Sequence, residues 1–285
     1  MRHDFRGSDT EMKAICSDLK DQYDELDGLV KDLTEDQWSL KTPFFSWSVF
    51  DEVAHVAFFD QQALLAAEDP GAFKEQADEI VTLLATSDSW PGGTNPRLGV
   101  DTHQGLLSLW RDLRGRLLSR LESLSPQDRL PWYGPDMSAR SFATARLMEV
   151  WAHSQDVFDT LRKRRPLTSR LRHVTHIGVT TFGWSFFVRG LTPPETPPRV
   201  ELTGTNGELW AWGPEDAVGL VKGNATDFCL VVTQRRNVLD TKLETHGADA
   251  KRWLTIAQAF AGVPQEPPPP GARVVDFGKP EKVGK

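Results

Sequence analysis

The run Arg146-Leu147-Met148-Glu149-Val150-Trp151-Ala152-His153-Ser154-Gln155-Asp156-Val157 places Glu149, His153 and Asp156 at spacings of four and three. Residues three, four and seven apart share one face of a helix, so the run stacks a carboxylate, an imidazole and a second carboxylate. Thr160 extends the polar stripe, while Met148, Val150, Trp151 and Val157 flank it with bulk apolar surface. A stripe framed in this way points into a helical bundle rather than toward solvent. Well upstream, Trp47-Ser48-Val49-Phe50-Asp51-Glu52-Val53-Ala54-His55 offers a second helix with one histidine in apolar company. Two such helices face to face would gather two imidazoles and a carboxylate, a donor set suited to zinc or a similar first-row ion. Spacing alone leaves two readings equally open: metal ligation, or a hydrogen-bonded polar stripe that binds nothing.

Around these runs the chain reads as helix after helix. Ser8 or Asp9 caps a first helix whose stripe is Ile15, Leu19, Leu26, Leu29, Val30 and Leu33. Thr34-Glu35-Asp36-Gln37 and Ser48-Val49-Phe50-Asp51 both have the form of capping boxes, the second opening a helix to about Glu68. Ala72 to Leu84 reads as helix, Ser87 to Gly93 as open loop. Leu106, Trp110, Leu113, Leu117 and Leu121 mark an amphipathic helix from Asp101, and a loop from Pro126 to Ser138 contains Trp132-Tyr133-Gly134-Pro135. The helix bearing the Glu/His stripe is expected over Ala139 to Arg164, and one further helix over Thr168 to Arg189, closed by Gly190.

The pattern changes at Pro193-Pro194-Glu195-Thr196-Pro197-Pro198, a stiff linker. Arg199 to Thr203 and Glu208 to Trp212 alternate like strands across a Gly204-Thr205-Asn206-Gly207 turn. Ala217 to Val221 reads as a short helix, Thr226 to Thr233 as a buried strand, and Ala248 to Phe260 as an amphipathic helix. From Gln265 onward, with Pro267 to Pro270, the tail is expected to be extended or disordered. The domains so drawn are residues 1–192, 193–264 and a tail 265–285.

Composition narrows the function classes. With 39% apolar and 26% charged residues the chain is an ordinary globular protein, and its net charge of −7 argues against a nucleic-acid surface. The densest basic cluster, Arg162-Lys163-Arg164-Arg165, sits where cations complement a helix C-terminus, just before Pro166. No apolar stretch approaches the ~18 residues of a membrane span. The N-terminus lacks the apolar segment of a secretory signal. Cys16 and Cys229 allow one disulfide, but free thiols of a cytoplasmic protein are the simpler reading.

Other groups compete for roles. His173, His176 and Thr180 form a second polar stripe that either hydrogen-bonds locally or supplies a general base such as His176. Arg235 and Arg236 are either a surface pair or cations for a substrate carboxylate.

The two histidine runs, in this order and with Gly223 to Leu230, Gln234-Arg235-Arg236 and the Trp253 to Gly262 helix behind them, resemble the DinB-like superfamily. The branch is that of mycothiol-dependent maleylpyruvate isomerase. The resemblance implies a mainly α fold, an N-terminal DinB-like four-helix bundle followed by a small α/β C-terminal domain. It implies a divalent metal, usually zinc, with nickel, iron and manganese as the other candidates. The ligands it assigns are His55, Glu149 and His153. Arg235 or Arg236 corresponds to an arginine that contributes to activity in the isomerase. The function so implied is a metal-dependent enzyme using a low-molecular-weight thiol, mycothiol, as co-substrate for S-transfer to, or isomerisation of, an electrophilic small molecule. Asp156 would orient a ligand or accept the thiol proton. The remaining alternatives are metal-assisted hydrolysis or lyase chemistry without thiol, and a non-catalytic metal- or ligand-binding protein. No nucleic-acid or membrane partner is expected, and a homodimer is compatible with the reading.

Overall fold

The computed structural model describes residues 5–86 and 95–276, with side chains for 10–80 and 97–276. Contacts group the chain into two compact units. One is Met1–Leu40, Trp47–His153 and Phe260–Val263; the other is Lys41–Ser46, Ser154–Ala259 and Pro264–Lys285. The expected boundary after residue 192 and this grouping differ. The end of the stripe helix and the helices after it make their contacts with the sheet-bearing part of the chain.

The first unit is helical. Its elements are α1 (Phe5–Val30), α2 (Glu35–Trp38), α3 (Val49–Glu68), α4 (Pro70–Thr86), α5 (Asn95–Leu98), α6 (His103–Glu122) and α7 (Ala139–Thr160), which continues into the second unit. Both anticipated capping boxes are present: Thr34 with Gln37 opens α2, and Ser48 with Asp51 opens α3. α6 packs against α3 and α1 through Leu106, Trp110, Leu113, Leu117 and Leu121, all buried. Each such side chain contributes about 1.5–3 kcal/mol on leaving water. The loop expected over Pro126 to Ser138 contains a two-stranded antiparallel ladder, β1 (Arg129–Leu130) with β2 (Met137–Ser138). The expected loop over Ser87 to Gly93 lies outside the described residues.

The second unit carries α8 (Leu171–Thr180), α9 (Phe182–Phe187) and a four-stranded sheet of order β4-β3-β5-β6, with α10 (Ala225–Val232) and α11 (Ala248–Ile256). The strands are β3 (Arg199–Thr203), β4 (Leu209–Trp212), β5 (Leu220–Asn224) and β6 (Glu244–His246). β3 pairs antiparallel with β4 and parallel with β5. Mainly α with a small α/β part is therefore the architecture.

Four local expectations are corrected. Thr226 to Thr233 is helix, not strand: Asn224 accepts a hydrogen bond from the Asp227 amide and caps α10. Phe228, Cys229, Val231 and Val232 then form its buried side, so the β-branched valines misled because tertiary burial outweighs β propensity. The short helix read over Ala217 to Val221 is instead the approach to, and start of, β5. The stripe helix stops at Thr160, four residues early, because Arg162 takes a left-handed φ of 51° and the Lys163 amide reaches back to the Phe158 carbonyl. The helix expected from Thr168 to Arg189 breaks at Thr181, whose hydroxyl donates to the Ile177 and Gly178 carbonyls. Such back-bonding bends helices.

The tail is also tied down as far as it is described. The Gln234 amide donates to the Gln265 carbonyl, Asn237 to the Pro268 carbonyl, and the Gly271 amide to Asp240. Residues 277–285 lie outside the described part. Among the described residues no helix is long and apolar enough to cross a membrane.

Candidate metal centre

Ser48 decides where α3 begins. Its hydroxyl accepts from the Asp51 amide while Asp51 accepts from the Ser48 amide, which fixes the first turn and sets Glu52 and His55 one turn apart. Trp47, just before the cap, is buried and lies parallel to the His153 ring, 5.9 Å away with 8° between planes. Its ring is 5.0 Å from that of His55.

On α7, Glu149 and His153 are one turn apart. His153 Nε2 is 3.6 Å from a Glu149 carboxylate oxygen, and the His55 and His153 ring centres are 4.4 Å apart. One ligand atom from each of His55, Glu149 and His153 can be chosen so that all lie within 4.8 Å of one another. Two ligands of a tetrahedral zinc at about 2.0–2.2 Å stand roughly 3.3–3.6 Å apart, so the three residues need only small side-chain rotations to close on one ion. Two imidazoles and a carboxylate leave further coordination positions open. The donor set fits a first-row divalent metal.

Glu52 completes the group and was not singled out in the sequence. Its carboxylate oxygen lies 2.7 Å from His153 Nδ1, with Glu52 only 1% exposed. An ionised carboxylate only accepts hydrogen bonds, so this contact assigns the ring proton to Nδ1 and turns the lone pair of Nε2 toward Glu149 and His55. The signal was present: Glu52 lies three residues before His55, one turn away on the same helix.

The other sequence candidates lie in the second unit. Asp156 is fully buried and accepts from Arg235 Nε at 2.9 Å, with Arg235 Nη2 at 2.8 Å and Arg273 Nη1 at 3.7 Å. Burial pushes the Asp156 carboxyl up, against the downward pull of Arg235 and Arg273. Arg235 also donates to the Thr233 carbonyl and lies over the Phe44 ring at 4.5 Å. Arg236 pairs with Asp159 at 2.7 Å. Both arginines therefore neutralise carboxylates of α7 instead of standing open to solvent. His176 sits exposed on α8, and His173 half-buried on the same helix. Neither cysteine is activated: burial pushes both the Cys16 and the Cys229 thiols up to about 12.

Residues 19–158 match the family described as the mycothiol maleylpyruvate isomerase N-terminal domain. An uncharacterized protein of Mycobacterium tuberculosis, matched in two strains, is 44% identical over 250 residues, covering 88% of this chain and 96% of the relative. The crystal structure of the mycothiol-dependent maleylpyruvate isomerase superposes with a TM-score of 0.51 at 12% identity, over 82% of this chain and 92% of that one; at this identity the likeness is one of fold. The chain belongs to the mycothiol maleylpyruvate isomerase N-terminal domain family, within the DinB-like proteins.

Proposed function

We propose that this protein is a divalent-metal enzyme that uses mycothiol to attack an electrophilic small molecule, with His55, Glu149 and His153 as the metal ligands. The observation carrying the reading is the convergence of those three donors within 4.8 Å in a chain of this family. A divalent ion held there would supply the Lewis acidity that lowers a thiol pKa into the neutral range.

The protein's own residues do the rest. Glu52 keeps His153 in the tautomer that offers Nε2. Trp47, itself buried, packs its ring near both imidazoles, and the Glu149 side chain is one quarter exposed. With Cys16 and Cys229 inert, the nucleophilic sulfur comes from the co-substrate. Its addition to an electron-poor C=C bond forms a C–S bond as the π pair moves onto the conjugated carbonyl to give an enolate. The proton lost by the thiol goes to solvent. A solvent proton on the enolate carbon completes S-transfer, whereas return of the enolate pair expels the thiolate and re-forms the C=C bond. If the sulfur stays, the outcome is S-transfer; if it leaves after rotation about the attacked bond, the outcome is isomerisation.

The test is elemental analysis of the purified protein and of His153→Ala, followed by turnover of a reactive electrophile with and without mycothiol. Stoichiometric metal in the wild type, its loss in a folded His153→Ala, and a strictly thiol-dependent rate are expected. Full metal occupancy in the variant would refute the ligand assignment, and turnover without thiol would refute the proposed chemistry.

A further inference from the structure

Away from the ligands, the first unit buries a second polar group. Asp60 of α3 is 0% exposed and Arg146 of α7 is 3% exposed. Arg146 donates to Asp60 Oδ1 from Nε at 3.1 Å and from Nη2 at 2.9 Å. Tyr23 of α1 donates to the same oxygen at 2.6 Å, and Trp110 Nε1 of α6 donates to Oδ2 at 3.0 Å. Four helices thus meet on one carboxylate. Arg146 Nη2 also reaches the backbone carbonyl of Val56 at 3.4 Å, the residue after His55.

We infer that the Asp60–Arg146 pair is a positioning device that sets the register of α7 against α3 and so brings Glu149 and His153 opposite His55. The inference rests on the metal-site reading above. Its physical basis is that apolar contacts between helices tolerate sliding, whereas a buried ion pair does not. A slip of one residue advances α7 by about 1.5 Å and turns it by about 100°, which would leave two buried charges without partners. Arg146 lies three residues before Glu149 and seven before His153, on the same face of α7. Pinning Arg146 to Asp60 therefore pins the ligand face, and the Val56 contact ties that pin to the backbone beside His55. A buried pair of this kind is a costly way to gain stability, and fixing register is its best-attested use.

The test separates positioning from stability. Replacing both partners in Asp60→Leu/Arg146→Met removes the charges while keeping apolar volume, so the bundle has a route to remain folded. Zn2+ affinity is measured by calorimetric titration and ligand geometry by the absorption spectrum of the Co2+ complex, with denaturant unfolding in parallel. Leu117→Ala, a core change on α6, serves as a control for lost stability. The expected result is a folded double variant with Zn2+ binding weakened roughly 10–100-fold and an altered Co2+ spectrum, while Leu117→Ala keeps wild-type affinity. Should the double variant fail to fold, the near-isosteric Asp60→Asn carries the same comparison. Wild-type affinity and spectrum in the folded variant would overturn the positioning role and leave the metal site standing, as would an equal loss in Leu117→Ala. A wild type that binds no Zn2+ would overturn the metal site itself, and the positioning role with it.

Discussion

The Glu52 carboxylate and His153 Nδ1 meet at 2.7 Å across α3 and α7, both almost fully buried. Their contact links two elements that the sequence separates by about a hundred residues, and it orients the His153 ring. Glu52→Gln keeps the size of the side chain but removes its charge and offers an amide that can donate. Metal affinity is expected to fall by roughly 10–100-fold without loss of the bundle. Calorimetric titration with Zn2+, alongside circular dichroism, checks this; unchanged affinity would mean that His153 orients itself without help.

Cys16 and Cys229 are both 0% exposed, with their thiols held up to about 12 by burial. Cys229 is further enclosed by the Thr175 hydroxyl at 3.3 Å. Neither thiol is expected to react with iodoacetamide in the folded protein at pH 7–8, and both are expected to react in denaturant. Mass spectrometry counts the adducts. Rapid labelling of a native thiol would reopen the question of where the nucleophilic sulfur comes from.

Asp27 on α1 receives Arg111 and Arg114 of α6 at 2.6 Å each. Burial alone would raise its carboxyl, but the Arg111 hydrogen bond and the two guanidinium charges outweigh it and hold the group below its usual range. A folded-state pKa below the unfolded value contributes stability above about pH 4, and that contribution is lost as pH falls through the depressed value. Asp27→Asn is therefore expected to cost on the order of 1 kcal/mol at neutral pH. The gap should close in progressively more acidic buffers. Denaturant titrations from pH 7 to pH 3 measure it, and a gap independent of pH would contradict the pairing.

Gly178 lets α8 approach α10 closely: a Cβ there would stand 2.7 Å from Val232 Cγ2 and 3.0 Å from Phe228 Cε1. Gly178→Ala is expected to destabilise by about 1–3 kcal/mol despite the better helix propensity of alanine. A raised melting temperature in differential scanning calorimetry would show that the valine rotates away at little cost.

Much of this was legible before any coordinates. The stripe Glu149–His153 and the isolated His55 follow from helical period alone, and the capping boxes at Thr34 and Ser48 fix two helix starts through local chemistry that tertiary context does not override. What escaped was decided by contacts distant in sequence. Glu52 lies in the first turn of α3, where an acid complements the helix dipole, and only the arrival of His153 makes it a hydrogen-bond partner. The valine-rich run after Asn224 read as a strand because periodicity does not separate a short buried strand from a buried helix; the Asn224 cap and burial against α8 make it helix. Arg235 and Arg236 read as open cations because Asp156 and Asp159, about eighty residues earlier, could not be matched to them by spacing.

The last described stretch of the chain has a consequence for biosynthesis. Arg273, which approaches Asp156 to 3.7 Å, and Gln265, which accepts from Gln234, are translated well after the residues they meet. The helical portion can begin to collapse while the chain is still emerging. The portion holding Asp156 gains its second guanidinium only once Arg273 has emerged from the ribosome, so a nascent polypeptide stopped before that point has Arg235 but not Arg273 to set against the carboxylate.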